Sequence, residues 1–171
     1  FGILHIKTVK ERITETNRFF LRQLPFSVMI NFKFSFQIIS LTMVHGSTQS
    51  NEDYIKENTE DSALLKMLNE SNSDILIMGH THKPYHKAIF SEEGNRKIYK
   101  HALNAGSVGK PKHGTNKACY AVLKMDENTN LSNPNSLSVN FEYVNYNVEK
   151  VIEKIHSLGL GDAYDHFLKN G

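Results

Sequence analysis

The chain has few of the residues that would stabilise a small extracellular protein. Among its 171 residues there is one cysteine, Cys119, and no tryptophan. A single cysteine excludes an internal disulfide framework, and a thiol within the apolar segment 117–123 is typical of a buried, inert side chain rather than a nucleophile. We therefore expect a reducing compartment and a cytoplasmic location.

A strong charge of one sign is also absent. Lysine and arginine number 20, aspartate and glutamate number 18, and the formal net charge is +2. This small excess gives no footprint for nucleic-acid binding. The most apolar stretch, residues 26–44, is interrupted by Asn31 and Lys33, which predicts two strands and excludes a membrane span. With 39% hydrophobic and 22% charged residues, the composition is that of one globular domain, residues 1–171.

Two histidines follow a short apolar run near the middle of the sequence. Residues 75–78 have the length and β-branched content of a buried strand, and Gly79-His80-Thr81-His82 comes directly after them. Glycine permits a sharp turn where the strand ends. In such a turn the two imidazoles can diverge, so that each can serve a different metal of a close pair.

The same layout recurs twice in the sequence. The apolar run 38–44 leads into His45, and Ala102-Leu103 leads into the polar, glycine-rich segment 104–109. Strand ends of this kind usually share one edge of an α/β sheet, where binding sites lie. Histidine pairs also occur in exposed loops, but the repetition favours a metal site.

Three segments, in this order, carry a resemblance to a known family. They are Val44-His45-Gly46, Gly79-His80-Thr81-His82-Lys83-Pro84 and Leu103-Asn104-Ala105-Gly106-Ser107-Val108-Gly109. From about residue 16 to residue 171, the chain resembles the C-terminal half of a calcineurin-like metallophosphoesterase, in particular the small phosphodiesterase-type members. The resemblance implies an α/β (α+β) fold, a metallophosphatase-type β-sandwich flanked by helices and incomplete at its N-terminus. This chain would supply the second sheet and one helical layer.

The resemblance also implies a site. His45 and His80 would bind one metal, and His82 would bind the other. A substrate-proximal loop would be formed by Asn104, Gly106 and Ser107. Two divalent ions are implied, with manganese expected first and iron, nickel or zinc as alternatives. The implied function is hydrolysis of phosphodiesters or phosphomonoesters by a hydroxide that the two metals activate, and the implied partner is the phosphoester substrate.

Half of the implied ligand shell is not found in the sequence. The Asp-x-His pair, the bridging aspartate and the Asn-His element of the family have no counterpart, since Asp53, Asp61 and Asp74 stand outside the matching motifs. Gly94-Asn95 precedes Arg96 rather than histidine, and a hairpin turn is the better explanation of this pair. We therefore assign no catalytic residue within this chain.

Three interpretations remain open. In the first, the chain is a fragment of a working phosphoesterase and is inactive alone. In the second, it is a degenerate, non-catalytic relative that binds a partner or binds metal weakly. In the third, His45, His80 and His82 form a mononuclear zinc module. The intact histidine motifs favour the first.

Other features carry secondary expectations. Tyr54 is expected either to wall the site or to be a packed surface aromatic. Lys110 and Lys112 lie in a glycine-rich loop that is expected either to stand beside an anionic substrate or to be a flexible surface loop, since it lacks the spacing of a phosphate-binding loop. An apolar face left uncovered by the missing half predicts poor solubility or a homo-oligomer.

Periodicity and turn signals predict the elements. The first helix is expected to start at Thr16 or Asn17, to end at Leu24, and to present an apolar face with Phe20 and Leu21. Further helices are predicted at 60–71, 147–158 and 161–169. Strands are predicted at 26–33, 37–44, 75–78, 85–90, 97–103, 117–125 and 136–145.

Overall fold

The computed structural model describes residues 10–160 and 165–171 of the chain. The helices with defined bounds are α1 (Glu15–Gln23), α2 (Asp61–Glu70), α3 (Val148–Ser157) and α4 (Asp165–Asn170). The strands are β1 (Ser27–Lys33), β2 (Ile38–Val44), β3 (Ile75–Met78), β4 (Tyr85–Glu93), β5 (Arg96–Asn104), β6 (Ala118–Lys124) and β7 (Ser138–Val144). This order confirms the succession of helices and strands predicted from the sequence.

Five strands form a mixed sheet in the order β1-β2-β3-β5-β4. Strands β2, β3 and β5 are mutually parallel, whereas β1 and β4 join the two sides of the sheet in antiparallel pairing. Parallel neighbours end at the same edge of a sheet. That edge carries His45 after β2, Gly79 after β3 and Asn104 at the end of β5. The expectation that the three strand ends meet is confirmed.

Helix α2 covers one face of this sheet. Its residues Leu64, Met67 and Leu68 recur at helical spacing and are buried against Leu76 and Met78 of β3. Each buried aliphatic side chain of this kind stabilises the packing by roughly 1.5–3 kcal/mol. The helix therefore fixes the strand whose end carries the two histidines.

Strands β6 and β7 form a second, two-stranded antiparallel sheet. An apolar layer joins it to the larger sheet, and its members include Ile39, Leu41, Ile75, Leu103, Ala121, Leu123 and Val139. The result is the β-sandwich flanked by helices that the sequence predicts. The chain supplies strands to both sheets, and not to the second alone as expected.

The hairpin between β4 and β5 has the tight turn predicted at Gly94-Asn95. Glu93 pairs with Arg96, so only two residues remain in the loop. Gly94 has φ +62°, a conformation that glycine adopts without strain. The strands extend further than the predicted bounds of 85–90 and 97–103, because the pairing continues to the turn.

Helix α1 and strand β1 depart from the expected burial. The side chain of Thr14, rather than Thr16 or Asn17, accepts from the backbone N–H of Asn17 and caps the helix. No residue of α1 is buried, and the expected apolar face lies exposed, with Phe20 61% accessible. Exposed apolar side chains of these two elements and of the short connection between them are Phe19, Phe20, Leu21, Leu24, Phe26, Val28, Met29 and Ile30. The sequence pattern therefore predicts the apolar face of α1 correctly, but it does not predict whether another element buries that face.

The last two helices form a small cluster of their own. Asn147 accepts from Lys150 N–H and caps α3, while Val148 and Ile152 pack with Leu168 of α4. The predicted helix at 161–169 is found as α4, and residues 161–164 of that prediction lie outside the described residues. Across the part of the chain that the structure describes, no helix has the length and apolar character needed to cross a membrane.

Candidate metal centre

The turn after β3 is held in an unusual backbone conformation. His80 has φ +59° and His82 has φ +62°, both in the left-handed region that disfavours residues other than glycine. Such a conformation costs of order 1–3 kcal/mol for each residue and persists only where the surroundings impose it. The Thr81 N–H donates to the Gly79 carbonyl (N···O 2.6 Å) and tightens the turn. As expected, the two imidazoles diverge from it.

His80 turns towards His45. The Nε2 atom of His45 and the Nδ1 atom of His80 are 3.0 Å apart, and the rings meet edge to face. The backbone supports this meeting, because Gly79 N–H donates to the His45 carbonyl (N···O 2.9 Å). Burial, and then the neighbouring His80, lower the pKa of His45, which keeps its imidazole neutral at pH 7.

His82 turns away, towards the loop after β5. Its Nδ1 atom lies 2.6 Å from the carbonyl oxygen of Lys110. A carbonyl oxygen can only accept, so Nδ1 carries the proton and Nε2 keeps its lone pair. Burial is the largest influence on the pKa of His82 and lowers it, although the bond to Lys110 opposes the change. A neutral imidazole with a fixed tautomer is the form that binds metal ions.

Asn104 ties the strand ends together. Its side-chain amide donates to the Gly79 carbonyl and to Thr81 Oγ1 (N···O 3.0 Å), and its Oδ1 accepts from Gly106 N–H (3.0 Å). The side chain is fully buried. Ser107 Oγ accepts from the Lys110 N–H (3.0 Å), which holds the carbonyl that orients His82. These residues position the histidines, and their proximity to substrate stays a prediction.

The loop after His45 is held by hydrogen bonds between its own residues. Ser47 Oγ donates to Asp53 Oδ2 (2.6 Å) and accepts from the N–H of Ser50 (3.0 Å). A Cβ atom at Gly46 would stand 2.5 Å from the Ser50 carbonyl, so only glycine fits there. The Asp53 carboxylate is thereby engaged by Ser47.

The other two acids considered from the sequence are engaged elsewhere. Asp61 forms an ion pair with Lys87, and Asp74 accepts from Ser40 N–H (2.8 Å) at the opposite end of β3. Burial raises the pKa of Asp74. Among the residues that the structure describes, no group of three or more histidine, cysteine, aspartate or glutamate side chains is placed to hold a metal ion.

The histidine pair nevertheless fits two ligands of one ion. Two nitrogens bound at right angles, each about 2.1 Å from a metal, stand about 3 Å apart. The observed separation between His45 Nε2 and His80 Nδ1 is 3.0 Å. The Nε2 atom of His80 is buried and has no hydrogen-bond partner within the described residues. The pair thus fits part of a coordination shell, while the full set with His82 stays a prediction.

A comparison with known families decides where this chain belongs. The profile of the calcineurin-like phosphoesterase superfamily domain matches residues 6–128. The chain belongs to this superfamily. The match covers the turns with His45, His80 and His82 and the loop with Asn104, which are the segments that carried the resemblance in the sequence.

One curated relative is similar to this phosphoesterase domain over most of the chain. The uncharacterized protein MJ0912 of Methanocaldococcus jannaschii is 30% identical over 167 residues, covering 91% of this chain and 60% of the relative. The chain therefore spans 60% of the length of the curated relative it matches.

Two solved structures share the fold. A metallophosphoesterase from Sphaerobacter thermophilus is matched with a TM-score of 0.67 at 19% identity, over 92% of this chain and 64% of the other. The hypothetical protein PH1004 from Pyrococcus horikoshii OT3 is matched with a TM-score of 0.70 at 20% identity, over 94% of this chain and 56% of the other. At these identities the likeness shows the fold alone.

Beside the histidine pair the phosphoesterase domain has an open cleft. The ring of Tyr54 lies against that of His80, with centroids 4.2 Å apart. The cleft has a volume of about 610 Å³ and is lined by Tyr54, Lys56, Glu57, Asn58, Thr81, Lys83, Pro84, Tyr85 and Lys112. Of the two expectations for Tyr54, the one that makes it a wall of the site agrees with this contact. The sequence did not indicate that Lys56 and Lys83 line a cleft, although Lys83 belongs to the quoted motif, because single lysines carry no distinctive pattern.

A second histidine pair lies within the β4–β5 hairpin, on residues that the sequence does not mark as a site. His86 Nε2 and His101 Nδ1 are 3.0 Å apart across the β4–β5 hairpin, and the rings stack. Burial, and then His86, lower the pKa of His101 to about 4. The signal was present in the sequence, since a turn at Gly94-Asn95 places the two residues diagonally on one face.

Proposed function

We propose that this chain supplies the histidine side of a metal-dependent phosphoesterase centre. Members of the calcineurin-like superfamily, to which the chain belongs, generally bind divalent metals. The observation that carries the proposal is the 3.0 Å approach of His45 Nε2 and His80 Nδ1 at a shared sheet edge. Two strands, a backbone hydrogen bond and a buried asparagine all contribute to holding that approach.

In this proposal His45 and His80 bind one divalent ion and His82 contributes to a second. When bound, the ions supply Lewis acidity for the phosphoryl oxygens and lower the pKa of a water that attacks phosphorus. Manganese is the first candidate, with iron, nickel and zinc as alternatives that imidazole also accepts. The substrate is a phosphodiester or a phosphomonoester.

The residues of the chain prepare this site in three ways. The lowered pKa values of His45 and His82 keep lone pairs available at neutral pH. The Lys110 carbonyl fixes the tautomer of His82. The Asn104 side chain holds the turn with His80 to the loop that carries Lys110. We also propose a cytoplasmic location, which the single buried thiol of Cys119 supports.

Titration of the chain with Mn²⁺ or Zn²⁺ by calorimetry tests the metal assignment. We expect binding to weaken by at least about tenfold in His45→Ala and in His80→Ala, since each loses one of two paired ligands. The matched control is His156→Ala on α3, whose ring contacts Asp165 instead of the cluster, and which should bind as the unchanged chain does. Equal binding by all three variants would refute the assignment.

Hydrolysis is tested on the same samples. Generic phosphodiesters and phosphomonoesters are offered with each of the four metals, to this chain and to a longer protein that includes it. Metal-dependent release of phosphate or alcohol that is lost in His80→Ala supports the proposal. Tight metal binding with no turnover of any ester by either protein would contradict the catalytic part.

One observation favours a second candidate, a non-catalytic protein that binds metal weakly. Among the described residues no carboxylate joins the histidine pair in a group of three possible ligands. Asp53 and Asp61 are engaged with Ser47 and Lys87. Without a carboxylate, two dications would repel each other without compensation. Binding of a single ion per chain, without hydrolysis, would favour this candidate.

A further inference from the structure

The cleft adjoins the proposed metal centre through Tyr54 and Thr81. Thr81, which stands between His80 and His82, lines it, and Tyr54 contributes to both the cleft and the pair. Its volume of about 610 Å³ is within the range of small-molecule sites. Because Tyr54 borders both, a ligand with one group at the histidines has space for a second group in this cleft.

The cleft is cationic. Lys56, Lys83 and Lys112 line it together with a single carboxylate, that of Glu57. Within the described part of the chain, none of these three lysines forms an ion pair. Ammonium groups that lack internal partners and share one cavity attract an anion.

The cleft is also partly apolar. Tyr54 is 58% exposed, so its ring offers a free surface, and Pro84 lies in the same wall. Tyr85 is almost fully buried, and its hydroxyl donates to the Ile55 carbonyl (O···O 3.4 Å), which fixes its ring. An aromatic surface next to lysines suits a ligand that combines a flat ring with negative charge.

We propose that this cleft binds the leaving group of a nucleotide-type phosphoester, with the base against Tyr54 and a second phosphate at Lys83 and Lys112. The inference rests on the proposed function, because it assumes that the scissile phosphate lies at the histidines. It names a substrate class that the histidine motifs do not specify. Esters with a small neutral leaving group would leave the cleft empty and bind less well.

Calorimetric binding to the full chain, with and without Mn²⁺, tests the proposal at low ionic strength. Four probes separate the two features: adenosine diphosphate has ring and second phosphate, pyrophosphate lacks the ring, phenyl phosphate lacks the second phosphate, and inorganic phosphate lacks both. The variants are Lys83→Gln with Lys112→Gln, and Tyr54→Ala. The matched control is Lys97→Gln, an exposed lysine near the hairpin turn at the opposite end of β5.

We expect adenosine diphosphate to bind at least about tenfold more tightly than inorganic phosphate, since charge-assisted contacts are the stronger class. The double lysine variant should bind adenosine diphosphate and pyrophosphate about tenfold more weakly than the unchanged chain, and its affinity for phenyl phosphate should change little. Tyr54→Ala should weaken the binding of adenosine diphosphate and of phenyl phosphate, but not the binding of pyrophosphate. The Lys97→Gln variant should match the unchanged chain.

The outcomes separate this inference from the proposed function. If Mn²⁺ does not strengthen binding and no ester is hydrolysed, but the cleft variants still discriminate among the probes, the metal proposal fails and the cleft assignment stands. If adenosine diphosphate binds no better than phosphate, or if Lys97→Gln weakens it as much as the cleft variants do, the cleft assignment is overturned.

Discussion

Two histidines have a left-handed backbone conformation, which is uncommon for residues other than glycine. His80 and His82 hold φ values of +59° and +62°, while Thr81 between them is not among the positive-φ residues. The alternation sends one ring to His45 and the other to Lys110. The strained backbone of the turn thus makes the two imidazoles diverge, and backbone strain of this kind is concentrated at functional sites.

This backbone cost can be measured at His82. We expect His82→Gly to be more stable than His82→Ala by about 1 kcal/mol, because alanine is strained at positive φ whereas glycine is not. Urea denaturation gives the difference. The matched control is His86 in β4, where extended backbone should make the alanine variant the more stable of its pair. The same order at both positions would contradict the argument.

The pair of His86 and His101 predicts a dependence of stability on pH. The pKa of His101 is lowered from 6.5 to about 4, so the unfolded chain binds more protons between these values than the folded chain does. The stability that neutral His101 contributes is therefore complete above pH 6.5 and is lost as the pH falls towards 4. The shift from 6.5 to about 4 corresponds to about 3 kcal/mol.

Urea unfolding at pH 7.5, 5.5 and 4.5 measures this dependence. Other histidines also have lowered pKa values, so the informative quantity is the difference between the unchanged chain and His101→Gln. We expect that the variant loses less stability over this interval, since glutamine does not titrate. Parallel pH profiles for the two proteins would show that His101 is not the group responsible.

At the scale of elements, Asn104 is the connection between β3 and β5 at the site. Asn104→Ala removes donors to Gly79 and Thr81 and the acceptor for Gly106, leaving buried polar groups without partners. We expect a loss of about 2–4 kcal/mol. Thr81→Val deletes one of these bonds and the longer bond from Lys83 N–H (N···O 3.3 Å), and should cost about 1–2 kcal/mol. Equal losses in urea denaturation would mean that Asn104 does not act as the shared anchor.

The strand ends could be predicted from the sequence because several signals agreed there. An apolar run, a following glycine and a histidine recur at β2 and β3, and parallel pairing then brings the ends together. The contact between His82 and Lys110 could not be predicted, because 28 residues separate them and only the folded loop sets their distance. The sequence did not identify Thr14 as the N-cap of α1, because Thr14, Thr16 and Asn17 all have a high propensity for that position.

Burial was the property least accessible to sequence reasoning. The apolar stripe of α1 was recognised from its spacing, but spacing does not say whether another element covers it. In the structure Phe20 and Leu21 are exposed, whereas the similar stripe of α2, with Leu64 and Leu68, is completely buried. The difference lies in the sheet that α2 meets, which is a property of the tertiary fold.

At the scale of the whole molecule, the exposed apolar side chains of α1 and β1 predict self-association. Among the described residues β1 is an edge strand, and no described strand pairs with its outer side. An edge of this kind can pair with another chain. Its side chains Val28, Met29 and Ile30 are exposed together with those of α1. Burying exposed apolar surface beside an open strand edge is favourable, because it removes that surface from water. We therefore expect this chain to form oligomers at micromolar concentration.

Sedimentation of the chain over a range of concentrations tests the prediction. Phe20→Lys combined with Met29→Lys places charges on α1 and β1 and should shift the population towards monomer, because a charge facing an apolar interface opposes its burial. The matched control, Tyr120→Ser, removes a partly exposed ring from β6 and should leave the association unchanged. A monomer at all concentrations would mean that this face is tolerated in water. An equal effect of Tyr120→Ser would place the association surface on the smaller sheet instead.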